Sequence, residues 1–202
     1  MNKEVLKMVV VLTIVATLAA TSLAKVYDLT KDAIAESKRQ EMLRAIKTVL
    51  PPYDNEPDQD TVELIAGKNK KGEDVKKIFY LGKKEAELQG IAFKASTMEG
   101  YSGLIEVMVG VDPFGIVTAI EIITHAETPG LGDRIVKLSY KKIFKGKSLA
   151  NAKWLVKKDG GEFDQFTGAT ISPRAVTKAV KEGLQFFAAN KDKIFNKNVT
   201  GL

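Results

Sequence analysis

The chain has 202 residues, of which 45% are hydrophobic and 28% charged, values typical of one folded domain with an ordinary core. Its formal net charge is +6, but the lysines are scattered along the sequence, which argues against a nucleic-acid-binding surface. Cysteine is absent and His125 is the only histidine, so thiolate metal sites, cysteine-ligated iron–sulfur clusters and metal sites with two imidazoles are excluded. Any redox chemistry in this protein therefore needs an organic cofactor.

The amino-terminal part contains a membrane segment, because residues 8–24 carry no charge and are almost all apolar. Counting from Val5 gives about 20 residues, or roughly 30 Å of helix, which is enough to cross a bilayer. The alternative is a cleaved signal peptide, since residues 22–24 resemble a cleavage site. Lys3 and Lys7 favour a cytoplasmic amino terminus, so both interpretations place the rest of the chain on the extracytoplasmic side.

The body of the chain is expected to begin with a stalk. Apolar residues over 29–50 have helical spacing, and two prolines then end the helix. An acidic, aperiodic loop over 54–60 follows it. The expected organisation is therefore a short cytoplasmic tail, a transmembrane anchor, a stalk helix with its loop, and a globular domain, over residues 1–7, 8–24, 25–60 and 61–202.

The globular part is predicted to be mixed α+β around an antiparallel sheet. Its predicted strands cover residues 62–65, 77–81, 90–95, 105–111 and 116–124, and the last two form a hairpin around the turn at 112–115. Apolar spacing over 134–144 favours a helix, and 152–156 favours another strand. Ser172 and Pro173 are expected to cap and open a last helix, which has one apolar face.

The stretch just before that last helix is the most informative in the chain. It consists of Asp164-Gln165-Phe166-Thr167-Gly168-Ala169-Thr170-Ile171-Ser172. Free amide hydrogens at a helix start attract phosphate groups, and Gly168 and Ala169 leave room for a ligand to approach the backbone. The residues alone thus predict an anion site beside the Thr170 hydroxyl, with a plain capped helix after a glycine turn as the alternative.

This stretch resembles the flavinylation motif of the FMN-binding domain shared by the G subunit of the Rnf electron-transport complex and the C subunit of the sodium-pumping NADH:quinone reductase. In that family the threonine after the Gly-Ala pair carries FMN through its phosphate, and this position is Thr170. The resemblance implies that Asp164 and Thr167 serve recognition by a separate flavin transferase. Gly168, Ala169 and Ser172 complete the implied cofactor-binding stretch.

A second stretch, His125-Ala126-Glu127-Thr128-Pro129-Gly130-Leu131-Gly132, is similar to a loop near the flavin in the same family. The resemblance implies a cofactor-binding role for Glu127, Thr128, Pro129, Gly130, Leu131 and Gly132. Amides of this loop are expected to hydrogen-bond to the flavin, and Glu127 to oppose negative charge on its ring. The alternative is a simple type II turn in which Gly130 supplies the positive φ angle. His125 is expected to be structural, and no side chain is expected to be catalytic or to bind a metal.

The resemblance implies an electron-relay subunit with covalent FMN and no stand-alone activity, in a membrane complex that couples ferredoxin:NAD oxidoreduction to sodium or proton translocation. The implied partners are the other membrane subunits of an Rnf-type complex, the flavin transferase and the membrane, with no nucleic acid. The histidine before Glu127 and the compact length favour the Rnf protein. The alternatives are a C-type subunit of a sodium-pumping NADH:quinone reductase, an independent exported FMN carrier, and a membrane-tethered binding module without flavin.

Overall fold

The structure is a computed structural model that describes residues 2–68 and 71–196. It opens on one long helix, α1 (Lys3–Val49), so the predicted anchor and stalk are continuous in secondary structure. The chain forms two compact units, Met1–Glu41 and Met42–Leu202.

The first unit contains the apolar part of α1, the one helix in the described residues that is long and apolar enough to cross a membrane. None of this apolar segment is buried by the protein. Thr13, Thr17 and Thr21 lie within it, and each donates its hydroxyl to the carbonyl oxygen four residues earlier. These hydroxyls are therefore satisfied without water, as a helix in lipid requires.

The second unit includes the last turns of α1, which end at Val49 because Pro51 and Pro52 cannot continue a helix. The carbonyl of Val49 would otherwise lack a partner at this helix end, and it accepts the Thr118 hydroxyl at 2.5 Å. Apolar side chains of these turns pack on one face of the sheet, in a cluster of Ala45, Ile46, Val49, Leu50, Tyr80, Ala92 and Met108.

The sheet is antiparallel throughout, with its strands in the order of the chain. They are β1 (Thr61–Lys68), β2 (Asp74–Lys84), β3 (Glu87–Gly100), β4 (Gly103–Val111) and β5 (Val117–His125). All five predicted strands are confirmed; the first four extend further at one or both ends, and β5 is shifted by one residue. In β4, Val107 and Met108 point to opposite faces and both are fully buried, so this central strand is covered on both sides.

The second face is covered by α3 (Ile171–Ala189), which confirms the predicted last helix and its apolar face. Its buried apolar residues include Val176, Ala179, Val180, Leu184 and Phe187. Gly183 lets the helix approach β3 closely, since a Cβ there would lie 2.7 Å from the Phe93 ring. Phe93 also stacks on Phe187, with ring centroids 6.2 Å apart. Burial of each such side chain contributes about 1.5–3 kcal/mol.

The segment between β5 and α3 differs from the prediction in two places. The helix predicted over 134–144 is a series of short helical turns: a 3₁₀ turn over Gly132–Val136, α2 (Leu138–Lys141) and a 3₁₀ turn over Lys142–Phe144. The series is broken because Lys137 adopts an extended conformation. A short α4 (Lys191–Asn196), which was not predicted, follows α3.

The strand predicted over 152–156 is wrong, because this segment is a loop with one isolated β-bridge, between Val156 and Phe163, and a few backbone hydrogen bonds to residues 161–163. Trp154 and Val156 are both buried, so the sequence shows the alternating pattern that is typical of a strand, although no strand lies beside this segment. The Trp154 indole donates to the Ser148 carbonyl at 2.9 Å, and its ring lies 4.7 Å from that of Phe163. Ring packing, together with backbone hydrogen bonds such as the one from the Phe163 amide to the Leu155 carbonyl at 3.2 Å, therefore fixes this loop.

Candidate functional site

The two sequence motifs meet at one cavity of about 290 Å³, which we call the Thr170 cavity. It is lined by Tyr101, Glu127, Thr128, Leu131, Gly132, Gly168, Ala169, Thr170, Ile171 and Ser172. Three segments supply these residues: the turn between β3 and β4, the loop after β5, and the start of α3. The sheet and α3 thus bring together motifs that lie far apart in the sequence.

The motif before α3 folds as a tight turn that presents Thr170 at the helix start. The Ala169 amide donates to the Phe166 carbonyl at 3.0 Å, and Gly168 has a φ angle of 80°. A glycine is required at this position for the type II conformation. A Cβ on Gly168 would meet nothing within 4 Å, so this glycine serves the turn rather than making space.

The predicted capping role of Ser172 is wrong, because α3 begins at Ile171 and Thr170 occupies the N-cap position. Pro173 lies within the first turn, where its missing amide hydrogen costs no hydrogen bond. Thr170 itself makes no side-chain capping bond. Its hydroxyl is therefore not used in capping the helix. Thr170 lies beside the backbone amides of the first helical turn, which have no intrahelical acceptor.

Glu127 explains the position of Ser172. The glutamate is buried, with 4% exposure, and its Oε2 accepts the Ser172 hydroxyl at 2.5 Å. Its Oε1 accepts the backbone amide of Ser102 at 3.2 Å. These two hydrogen bonds, which we call the Glu127 bridge, join all three segments around the cavity. Both carboxyl oxygens are therefore engaged by the protein itself.

The loop that carries Glu127 contains the type II turn of the alternative interpretation, in which the Leu131 amide donates to the Thr128 carbonyl at 3.2 Å and Gly130 has a φ angle of 76°. Gly132 instead allows the backbone of the loop to approach the Glu127 and Ser172 side chains closely. A Cβ on Gly132 would lie 2.5 Å from Glu127 Oε2 and would also contact the Ser172 hydroxyl. A glycine at this position is therefore a condition for the Glu127 bridge.

Comparison with known proteins places this architecture in a family. Residues 100–185 match the FMN-binding domain, and residues 1–49 match the RnfG N-terminal region. The chain is 39% identical to the G subunit of the ion-translocating oxidoreductase complex of Pseudomonas aeruginosa, over 96% of this chain and 93% of that protein. It is 41% identical to the corresponding G subunit of Aliivibrio fischeri, over 88% of each chain. The chain belongs to the RnfG family.

The fold of this RnfG chain is similar to that of two solved structures, each 18% identical to it. NqrC of Shewanella oneidensis superposes with a TM-score of 0.52, over 71% of this chain and 75% of that one. The C subunit of the Na⁺-translocating NADH-quinone reductase from Parabacteroides distasonis gives a TM-score of 0.55, over 81% and 95%. These similarities confirm the predicted α+β fold with its antiparallel sheet.

Other residues named from the motifs lie outside the Thr170 cavity. Pro129 and Gly130 form the turn beside it, and Thr167 is exposed and does not line it. Asp164 is exposed as well and pairs with Lys157, with 2.5 Å between the carboxylate oxygen and the ammonium nitrogen. Their positions on the surface are accessible to another protein.

Arg134 is a site residue that sequence reasoning missed. Its guanidinium donates to the Leu131 carbonyl and to the Thr167 carbonyl, both at 3.1 Å. It also lies 4.5 Å from the centroid of the Phe166 ring. Arg134 thereby ties the Leu131 loop to the turn that precedes Thr170. The sequence offered one signal for this contact: Arg134 lies two residues after the motif that ends at Gly132, and Phe166 lies within the motif before α3.

The start of α3 is held by two further contacts. Arg174 binds Asp159, with 2.6 Å between Nε and Oδ2, and this hydrogen bond lowers the pKa of Asp159 and raises the pKa of Arg174. Tyr140 lies on the inner side, where its hydroxyl donates to the Pro173 carbonyl at 3.3 Å and burial raises its pKa. The helix start that carries Thr170 is therefore fixed from both sides.

The residues of the cavity fit one end of a flavin nucleotide better than a metal ion. Among residues 2–68 and 71–196, no group of three or more His, Asp or Glu side chains is placed to hold a metal. The cavity combines a helix start, which suits a phosphate, with an apolar rim. Its volume is near the low end of the roughly 300–1,000 Å³ usual for ligand pockets, so FMN would remain partly exposed.

Proposed function

We propose that this chain is an electron-relay subunit of an Rnf-type complex that carries FMN on Thr170 through a phosphoester bond. The complex would couple ferredoxin:NAD oxidoreduction to sodium or proton translocation. FMN, when bound, supplies the redox chemistry, and the protein supplies its position and surroundings. The relatives in the RnfG family are named as subunits of ion-translocating oxidoreductase complexes, which supports this assignment.

The observation that carries the proposal is the position of Thr170. It is the N-cap of a 19-residue helix, it lines the cavity, and its side chain makes no capping bond. A phosphate esterified to its Oγ would lie at the amino-terminal end of α3, where unpaired amides and the helix dipole favour negative charge. No other threonine or serine of the motif combines these features, because Thr167 lies outside the cavity and Ser172 is bonded to Glu127.

The surrounding segments keep this position fixed. The Glu127 bridge holds the second residue of α3, and Arg134 holds the carbonyl of Thr167 on the other side of Thr170. A cofactor tethered at Thr170 therefore has a rigid attachment point, which lowers the entropy cost of placing its ring. Asp164 and Thr167, exposed beside the cavity, are proposed to contact the flavin transferase during attachment.

The attachment is tested on the protein purified from its native membrane, where the transferase is present. Trypsin cuts after Lys158 and after Arg174, so a single peptide, residues 159–174, contains Thr167, Thr170 and Ser172. We expect this peptide to carry the added mass of FMN less water, with fragment ions assigning it to Thr170. An unmodified peptide from a native preparation would refute the proposal.

We further propose that residues 8–24 form a retained membrane anchor behind a cytoplasmic tail of residues 1–7. The stalk over 25–60 and the FMN-binding domain over 61–202 would then lie on the extracytoplasmic side. The helix that contains the anchor supports this proposal through its length and exposed apolar surface. The two lysines that precede residue 8 support the orientation.

This topology is testable with single cysteines, because the native chain has none. In spheroplasts, a membrane-impermeant maleimide should label Lys153→Cys, an exposed position in the domain, and should not label Asn2→Cys until the membrane is permeabilised. The intact mass of the Asn2→Cys variant shows separately whether the amino terminus is retained. Labelling of Asn2→Cys alone in sealed spheroplasts would reverse the assigned orientation.

A further inference from the structure

Tyr101 is an exposed aromatic residue at the edge of the Thr170 cavity, and neither sequence motif includes it. It occupies the turn between β3 and β4, where Gly100 pairs with Gly103 and leaves Tyr101 and Ser102 at the tip. The tyrosine lines the cavity but is 70% exposed. Large aromatic side chains contribute most when their faces are covered, so an aromatic residue left open at a ligand cavity points to a missing partner.

The backbone beneath Tyr101 is held in place. The Ser102 amide donates to Glu127 Oε1 at 3.2 Å, and Glu127 in turn accepts the Ser172 hydroxyl. A Cβ on Gly100 would lie 2.6 Å from the same Glu127 oxygen, so the turn packs directly on the carboxyl group. The Glu127 bridge therefore fixes the position of the turn relative to the start of α3.

No partner for the Tyr101 ring is found within the described part of the chain. The ring pairs there involve other aromatic residues, and none of the cations over rings lies at Tyr101. Its neighbours on the cavity rim are apolar and partly exposed: Leu131 at 45% and Ile171 at 43%. The rim thus offers one flat aromatic face and two aliphatic side chains, a surface suited to a flat, largely apolar ring.

We propose that Tyr101 stacks on the isoalloxazine ring of the FMN attached at Thr170 and thereby lowers its reduction potential. This inference rests on the proposed function and adds the residue that contacts the ring. Offset stacking places the electron-rich phenol against the electron-poor oxidised ring. Reduction adds electron density to the ring, so the same contact is less favourable for the reduced form. Tyr101 therefore stabilises oxidised flavin relative to reduced flavin.

The test uses the full chain purified with its flavin, and compares the wild type with Tyr101→Leu. A phenol in contact with flavin quenches its emission by electron transfer to the excited ring, and leucine cannot do so. We expect Tyr101→Leu to increase severalfold the native emission per flavin, measured against the same sample after denaturation. We also expect its midpoint potential, in a redox titration, to become more positive. The FMN content of peptide 159–174 normalises each variant.

Two further variants sharpen the test. Phe114→Leu is the matched control, since Phe114 is also an aromatic residue in a β-turn, is 83% exposed and lies outside the Thr170 cavity. We expect its emission and potential to equal those of the wild type. Tyr101→Phe keeps an aromatic face but lacks the phenol, so its emission should rise while its potential stays closer to the wild-type value than that of Tyr101→Leu.

The outcomes separate this inference from the proposed function. A wild-type chain without FMN on peptide 159–174 overturns both. FMN at Thr170 together with an unchanged emission and potential in Tyr101→Leu overturns the stacking alone. Fluorescence of the single tryptophan, Trp154, reports folding in each variant, because this residue is buried in the core of the domain.

Discussion

Thr170→Val is expected to abolish covalent FMN completely. Valine has nearly the shape of threonine but lacks the hydroxyl oxygen that the phosphoester requires. The fold should be retained, since the Thr170 side chain makes no capping bond, and the change in unfolding free energy should stay within about 0.5 kcal/mol. The flavin fluorescence of the denatured band on a gel and the intact mass both measure the loss.

The matched control for this variant is Thr128→Val. Thr128 lines the same cavity from the opposite loop, so the substitution removes an equivalent hydroxyl without touching the proposed attachment site. We expect Thr128→Val to retain covalent FMN. Flavin fluorescence that persisted in denatured Thr170→Val would move the linkage to another side chain, and Thr167 and Ser172 would be the next positions to replace.

Much of the domain fold was predictable because its strands alternate residues between two environments. All five strands appear where the sequence pattern places them, and the last two pair around the predicted turn. The segment at 152–156 shows the same alternation for another reason, because Trp154 and Val156 both reach the core from a loop. A burial pattern records which side chains are inside, but not which backbone lies next to them.

Only those features of the site that depend on residues close together in the sequence could be predicted. Gly130 has the positive φ angle that a type II turn predicts, whereas Gly168, which was expected to make room for a ligand, instead has a positive φ angle that serves its turn. Ser172 was assigned as the helix cap by a local rule, whereas a buried carboxyl 45 residues earlier binds its hydroxyl. Arg134 and Tyr101 lie outside both motifs and reach the site through tertiary placement, so the motifs alone did not identify them.

The importance of that tertiary contact can be measured with Glu127→Ala. The substitution leaves the Ser172 hydroxyl, which is 1% exposed, without its acceptor, and it also frees the Ser102 amide. A buried group left unsatisfied costs about 1–3 kcal/mol, whereas the freed Ser102 amide lies in an exposed turn and can bond to water, so we expect the unfolding free energy to fall by about 1–3 kcal/mol. Glu127→Gln should lose less, because its amide keeps one oxygen acceptor. Urea unfolding of the full chain in detergent, followed by Trp154 fluorescence, measures both.

A double-mutant cycle shows whether this loss comes from the Glu127 bridge. Once Glu127 is alanine, the Ser172 hydroxyl has already lost its acceptor, so adding Ser172→Ala should cost almost nothing or restore some stability. Glu99→Ala is the control, since Glu99 forms an exposed ion pair with Lys178 and its loss should cost at most about 1 kcal/mol. Strictly additive effects of Glu127→Ala and Ser172→Ala would contradict the bridge, whereas strong non-additivity would identify it as the contact that holds the start of α3 beside the loop after β5.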